Sequence, residues 1–421
     1  MEEVVEDILD RRGVTPLKLG GEFVSSGHRV ISAKLIKDGR VALGVDEPRY
    51  VDSVIYKKWM KSPLRQGDVI MTSEAPLGEL AYLDQPQDWV LGQRLFAIRP
   101  RKDILSGKFL YYVLATQSVR DSIVARASGT TVQGIRQAEL RKVEIPVPPL
   151  NVQIEAAAVL GALDGRIDVL RQTNATLEAI AQTLFKSWFV DFDPVHAKAD
   201  GREPEGMDAA TAALFPGKFE ASELGLIPKG WQAGCIGDLL TLQRGFDLPA
   251  PQRIDGEFLI LAASGPSGHH QEAKVSGPGV TTGRSGVLGK VFYVTGDFWP
   301  LNTSLWIKDF KIATAPYAYQ FLRSMDLAHL NAGSAVPTLN RNHVHGVSCV
   351  VPEKSVIDAY TSVAVPLLKR AHQTEKYALR LSELRDTLLP RLISGKLRLP
   401  EATADVDELL HENPKPTFNS P

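Results

Sequence analysis

The sequence predicts an α+β protein in which two pseudo-symmetric domains of mixed α/β fold are joined by two long helices forming an antiparallel coiled coil. Three observations predict it. Steps of three and four from Leu160 reach Leu163, Ile167, Leu170, Asn174, Leu177, Ala181, Leu184 and Trp188 without a break, a heptad stripe that must be buried against another helix. A shift of 204 residues finds the mate, a weaker stripe of Ala364, Leu367, Ala371, Thr374, Ala378, Leu381, Arg385, Leu388 and Leu392. The segments ahead of the two stripes also repeat each other.

Composition agrees with several domains. At 421 residues the chain is too long for a single core. Its net charge of -1 exerts no global pull on nucleic acid. The average hides a basic stretch, since Arg11 to Arg65 holds twelve Lys or Arg against five acids. Cys235 and Cys349 lack Cys-x-x-Cys spacing, so they read as buried thiols and not as a disulfide framework or zinc site. The start Met1-Glu2-Glu3 has no basic segment followed by an apolar run, and no stretch of 18 apolar residues occurs. A cytoplasmic protein that crosses no membrane is expected.

Residues 1–150 form the first domain. Strands are expected at Gly67 to Ser73, Glu79 to Leu83, Trp89 to Ile98 and Val143 to Val147, with a helix at Lys108 to Gln117 and a loop at Ala127 to Gly134. Pro148-Pro149 stops the domain and Asn151 caps the first long helix, 151–190. A Gly-, Pro- and Ala-rich connector, 191–230, hugs the surface through Leu214-Phe215-Pro216 and Leu224-Gly225-Leu226-Ile227-Pro228.

The second domain, 231–352, repeats the first. Ser73 to Tyr82 lies over Arg284 to Tyr293 at an offset of 211, and Phe109-Leu110-Tyr111 over Tyr317-Ala318-Tyr319 at 208. Gly129 to Pro148 lies over Gly333 to Pro352 at 204, pairing Ile135 with Leu339, Leu140 with Val344 and Val143 with Val347. The second long helix follows at 353–396. Pro366 is expected to kink it, Pro390 to end its regular stripe and Ser394-Gly395 to close it. The remaining 397–421 reads as an acidic, disordered tail.

Such helices act as a spacer. Asn151 to Phe189 is about 39 residues or roughly 58 Å long, and the strict seam about 43 Å. The latter corresponds to some 12 to 13 base pairs of B-DNA. Asn174 within the seam selects register or partner at a cost in stability, or else is an exposed residue on a frayed seam.

The run from Leu177 to Val195, including Phe185-Lys186-Ser187-Trp188-Phe189-Val190-Asp191-Phe192-Asp193-Pro194, resembles the central segment of Type I restriction-modification DNA specificity subunits. So do Pro204 to Asp208, Leu214-Phe215-Pro216 and Ser222 to Trp231, while Leu384 to Leu397 resembles the family's C-terminal segment. The first domain departs from the pattern by lacking the Gly-x-Ile-Pro-x-Gly-Trp entry that precedes the second. The resemblance implies two target-recognition domains, each reading half of a bipartite double-stranded DNA target. It also implies two methylation subunits docked on the helices, restriction subunits recruited through them, and S-adenosylmethionine bound by the methylation subunit and not by this chain. A non-catalytic role fits the lack of an Asn-Pro-Pro-Tyr or Asp-Pro-Pro-Tyr motif and of a Gly-rich cofactor loop. An interaction scaffold without DNA readout is the alternative.

Candidate DNA contacts fall in matched loops. Thr130, Thr131, Gln133 and Arg136 occupy the loop before the last segment of the first domain, and Thr338, Asn340, Arg341 and His343 its counterpart. Arg, Gln and Asn can make paired hydrogen bonds to base edges, and Thr suits phosphate or a thymine methyl; a structural turn is the competing reading. The spacing around Gly286 and Lys290 lacks the phosphate-loop pattern, and Arg284 is read instead as a candidate DNA contact at a strand end. Arg29, Lys34, Arg40, Arg49, Lys57, Lys58 and Lys61 can track phosphates or form an ordinary solvated face. His269-His270 and His343-x-His345 have no accompanying ligand set, so no metal is expected. Leu163, Ile167, Leu170, Asn174, Leu177, Leu184, Trp188, Leu367, Leu381 and Leu388 are assigned to the helix seam and subunit docking.

Overall fold

A computed structural model describes residues 1–44, 46–129, 132–333 and 335–394. Thr130, Thr131, Gly395 and the expected tail at 397–421 lie outside the described residues. The chain divides into two compact units, Met1–Asp168 with Ala378–Pro421, and Val169–Tyr377, so each long helix contributes to both.

In the first unit a four-stranded antiparallel sheet runs in the order Val5–Asp10, Leu95–Pro100, Val69–Thr72, Leu80–Tyr82. Leu95–Pro100 is buried at every residue, so it appears in sequence as an unbroken run and not as an alternating strand. A three-stranded sheet sets His28–Ile31 antiparallel to Tyr50–Val51 and parallel to Val90–Leu91. The helix Gly107–Ala115 starts at Ser106, whose hydroxyl accepts from the Phe109 N–H, and packs on Leu80–Tyr82. Behind the sheet lies a buried ion pair. Arg99 Nε and Nη2 donate to the two Asp68 oxygens at 2.9 and 2.8 Å, and Nη1 and Nη2 reach Ser62 Oγ and the Pro63 carbonyl at 2.7 Å.

The second unit repeats the topology of both of these sheets. Its four-stranded sheet runs Thr241–Arg244, Ser304–Asp309, Gly279–Gly283, Val291–Val294, all antiparallel. Its three-stranded sheet again sets a central strand, Phe258–Ala262, antiparallel to one neighbour, Gly265–His270, and parallel to the other, Phe298–Pro300. Ala315–Ser324 packs on Val291–Val294 as its counterpart does in the first unit. The segment after the first long helix is built into this unit's core through Val195, Phe215 and Trp231, each at most 3% exposed, whereas Leu224 and Leu226 point to solvent.

The long helices are Leu150–Phe189 and Lys354–Ile393, and they pack together antiparallel. In the first unit Arg385 Nη1 meets Asp164 Oδ1 at 2.9 Å, and in the second the Tyr360 hydroxyl donates to the Ala181 carbonyl at 3.0 Å. Leu163, Ile167, Leu170, Trp188, Leu381 and Leu388 are buried, while Leu177 and Leu184 are partly covered. Gln153 locks the start of the first helix, accepting from the Ser106 N–H and donating to the Ile104 and Pro148 carbonyls. Phe185, Trp188 and Phe189 close its far end in an aromatic cluster with Tyr317 and Tyr360.

Several local expectations are corrected. In the second helix Ala364, Ala371, Thr374, Ala378, Leu381, Leu388 and Leu392 are buried as the expected stripe requires, but at one position Leu368 is buried in place of the half-buried Leu367. Pro390 does not end the stripe of the second helix, since Leu392 beyond it is buried and the helix continues to Ile393. Arg385, the charged member of the second stripe, is accommodated by ion pairs with Asp164 and Asp386. The stretch expected as one strand, Trp89 to Ile98, is two strands in different sheets, turned at Arg94 with φ of 65°. Val143 to Val147 forms no strand; its counterpart Ser348–Val351 is paired because Gln232–Cys235 lies beside it. Cys235 and Cys349 are half-buried and not fully enclosed.

Candidate nucleic-acid interface

In each unit the turn between the last two strands of the four-stranded sheet meets two other loops. Backbone hydrogen bonds build the corner. In the first unit the Ser73 N–H donates to the Arg94 carbonyl at 2.9 Å and the Ile135 N–H to the Ser73 carbonyl at 3.0 Å. Ser128 and Gly134 exchange both backbone bonds beneath them. In the second unit the Arg284 N–H donates to the Thr303 carbonyl and the Leu339 N–H to the Arg284 carbonyl, both at 2.8 Å. The Ala332 N–H reaches the Thr338 carbonyl, repeating one bond of the Ser128–Gly134 pair. The scaffold is thus the same, and the side chains mounted on it differ.

The first corner carries Glu74, Arg94 and Arg12. Glu74 Oε1 lies 3.0 Å from Arg94 Nε in an ion pair with side chains 36% and 54% exposed. Arg12 is consumed internally: its guanidinium clasps Asp10, touches the Ile135 carbonyl at 3.3 Å and covers the Phe96 ring. Asp10 and nearby Glu74 hold its pKa above the ordinary arginine value against partial burial.

The second corner carries Arg284, Arg244, Asp247 and Asn302. Arg284 Nε donates to the Asn302 carbonyl at 2.8 Å, Asn302 Nδ2 donates to Asp247, and Arg244 Nη2 lies 3.5 Å from the same carboxylate. Partial burial, and then the neighbouring Arg244 charge, lower the Arg284 pKa from its usual value. Two neighbouring guanidinium groups, only one of them ion-paired with the single nearby carboxylate, favour an incoming anion or an electron-rich base edge.

The structure sorts the residues expected from sequence. Gln133, Arg136, Arg341 and His343 are exposed beside the two corners, with Arg136 and Asn340 at the starts of the short helices Gln137–Arg141 and Arg341–His345. Asn340 Oδ1 accepts from the Asn342 N–H and Thr338 Oγ1 donates to the Val336 carbonyl, bonds that fix the turn. Arg29 is not a free phosphate contact either, because Nη2 is held by the Leu43 carbonyl and Asp46 at 2.6 and 3.0 Å. Lys34, Arg40, Lys57 and Lys58 are exposed but share no recorded bond with the corner; Lys58 donates to the Leu19 carbonyl. Glu74, Arg94, Arg244, Asp247 and Asn302 were missed. Only the offset of 211 residues, which sets Ser73-Glu74 over Arg284-Ser285, pointed towards them.

Among the described residues no group of His, Cys, Asp and Glu could hold a metal ion, and no helix is long and apolar enough to cross a membrane.

Residues 30–179 match the family model described as the Type I restriction modification DNA specificity domain. Over 410 residues the chain is 24% identical to the Type I restriction enzyme MjaIX specificity subunit of Methanocaldococcus jannaschii, covering 90% of this chain and 84% of that protein. It is also 24% identical to the HindI specificity subunit of Haemophilus influenzae, covering 80% and 88% respectively. The crystal structure of a Type I S subunit from M. genitalium superposes with a TM-score of 0.54 at 18% identity, over 93% of this chain and 94% of that one.

Proposed function

The chain belongs to the family of Type I restriction-modification DNA specificity subunits, and on that premise we propose that it reads a bipartite double-stranded DNA target, one half with each unit. The observation that carries the reading is the duplicated corner. One backbone scaffold occurs twice with different polar side chains, as expected of two heads that use the same docking geometry to read different sequences. Phosphates would be engaged by the exposed Arg136 and Lys side chains, and base edges by side chains at the corner.

On the same reading the long helices act as spacer and dock. Ile154, Val169, Ile180, Val363, Val365 and Leu379 remain exposed on them, which supports a partner laid along the pair. Two methylation subunits are the partners proposed, with restriction subunits joining through them. Catalysis and S-adenosylmethionine binding are assigned to those partners, and the complex works in the cytoplasm.

The test is selection of random-sequence duplexes by the purified complex with its methylation subunits, followed by footprinting. Two short protected motifs at a fixed separation are expected. Protection without sequence preference would leave an interaction scaffold as the function.

A further inference from the structure

Arg94 and Arg284 stand at different positions of the repeated corner and share one arrangement. Each has Nε beside a protein oxygen, Arg94 in an ion pair with Glu74 (Nε to Oε1 3.0 Å) and Arg284 in a hydrogen bond to the Asn302 carbonyl at 2.8 Å. Among the described residues, the terminal nitrogens Nη1 and Nη2 of neither arginine make a hydrogen bond. Each sits on the shared backbone bond, as acceptor in the first unit (Ser73 N–H to Arg94 carbonyl) and as donor in the second (Arg284 N–H to Thr303 carbonyl).

From this we infer that Arg94 and Arg284 are the guanine-reading residues, one per half-site, with Glu74 and the Asn302 carbonyl as the positioning groups that aim them. The inference rests on the proposed DNA reading and deepens it. A guanidinium tethered at Nε keeps its planar fork fixed while presenting two N–H groups, the donor pair that matches guanine O6 and N7 in the major groove. A phosphate contact needs no such aim, since a flexible lysine serves it as a point charge.

The backbone supplies a second, independent observation. Arg94 adopts φ of 65°, a left-handed conformation uncommon for a residue with a Cβ. Such conformations persist where surrounding structure holds them and cluster at functional sites. Here the Ser73 N–H clamps the carbonyl and Glu74 the side chain, so the arginine is set from both ends. Glu74 is in turn backed by Gly134, where even a Cβ would stand 3.1 Å from Glu74 Cβ. Arg12, also at this corner, is excluded as a reader because Asp10 and the Ile135 carbonyl occupy its guanidinium.

The test uses the complex with methylation subunits and duplexes carrying the motif that the wild-type complex selects. Arg94→Lys and Arg94→Ala are expected to lose discrimination at one guanine–cytosine pair of one half-site by roughly 10- to 100-fold, leaving the other half-site unchanged. Arg284→Lys and Arg284→Ala are expected to do the same in the other half. Lysine keeps the charge and loses the fork, so its failure to rescue marks paired readout. Glu74→Gln should relax the same position as the Arg94 variants with no change in the salt dependence of binding.

Equal weakening on all sequences with a shallower salt slope would make these arginines phosphate contacts and overturn the assignment. Unchanged preference in folded variants, verified by thermal melting, would overturn it as well. If the wild-type complex selects no motif, the proposed DNA reading fails and the inference with it. A motif selected equally by wild type and variants removes only the inference.

Discussion

Asp68→Ala isolates the buried ion pair under the first sheet. The side chains of Arg99 and Asp68 are 4% and 1% exposed, and the change removes two charge-assisted bonds of 2.9 and 2.8 Å together with the acceptor of the Arg65 N–H. Arg99 keeps Ser62 Oγ and the Pro63 carbonyl, but both are neutral and its charge stays enclosed. Breaking such a pair from one side costs about 3–5 kcal/mol, most of it the stranded charge and not the lost attraction. Removing both charges should cost far less, so Asp68→Leu with Arg99→Met is expected to recover all but about 1–2 kcal/mol. Urea unfolding gives the free energies, and hydrogen exchange at Val69–Thr72 and Leu95–Pro100 locates the loss in the first unit. A single variant within about 1 kcal/mol of wild type would refute the account of an enclosed charge. So would a double variant as unstable as the single.

Three further outcomes are expected. Gln320 is 1% exposed, and neither amide atom has a hydrogen-bond partner among the described residues; Gln320→Met should therefore stabilise the protein by about 1–2 kcal/mol in thermal or urea unfolding, and a loss would show that the amide is satisfied. His345 Nε2 accepts the Leu242 N–H at 2.8 Å, and burial followed by the Arg341 and Lys311 charges lowers its pKa from 6.5. Its contribution is complete above the unfolded value and declines as pH falls from there to the lowered folded value. His345→Phe should thus flatten the acid side of the stability curve, and an unaltered slope would contradict the assignment. A heptad added to each long helix extends it by about 10.5 Å, or roughly three base pairs. Footprints should show a longer gap between unchanged half-sites; altered half-sites would contradict the spacer model.

The seam was readable in the sequence because a period of three and four survives any loop arrangement, and Leu163, Ile167 and Leu170 are buried as it requires. The repeat was readable because Ser73 to Tyr82 and Arg284 to Tyr293 keep their spacing. What escaped depends on contacts between distant segments. The turn at Arg94 splits an apolar run that, on propensity alone, reads as one strand. Glu74 acquires meaning only when residue 94 folds beside it, 20 positions away. Arg29 sits among basic residues of similar appearance, yet Asp46 and the Leu43 carbonyl claim it. Apart from the half-buried Arg385, the stripe projected onto the second helix is buried from Ala364 to Leu392 except at Leu367. There the adjacent Leu368 is buried instead, one turn beyond Ala364 and two beyond Tyr360 on the side of the aromatic cluster.

In the first unit the Tyr112 hydroxyl donates to Asp164 at 2.6 Å, and Arg385 grips the other oxygen of that carboxylate. The repeat places Gln320 and Leu368 at the positions of Tyr112 and Asp164, and the second unit instead ties its short helix to the long one through Arg323 and Glu178. The anchors are therefore not interchangeable, and this limits how recognition domains can be exchanged. A graft that replaces residues 1–150 alone would set a foreign side chain against Asp164 and Arg385. One that carries the start of the first helix and the end of the second would keep its own lock. The smallest portable block of the first unit is thus discontinuous in the chain, and a viable exchange needs joints on both long helices.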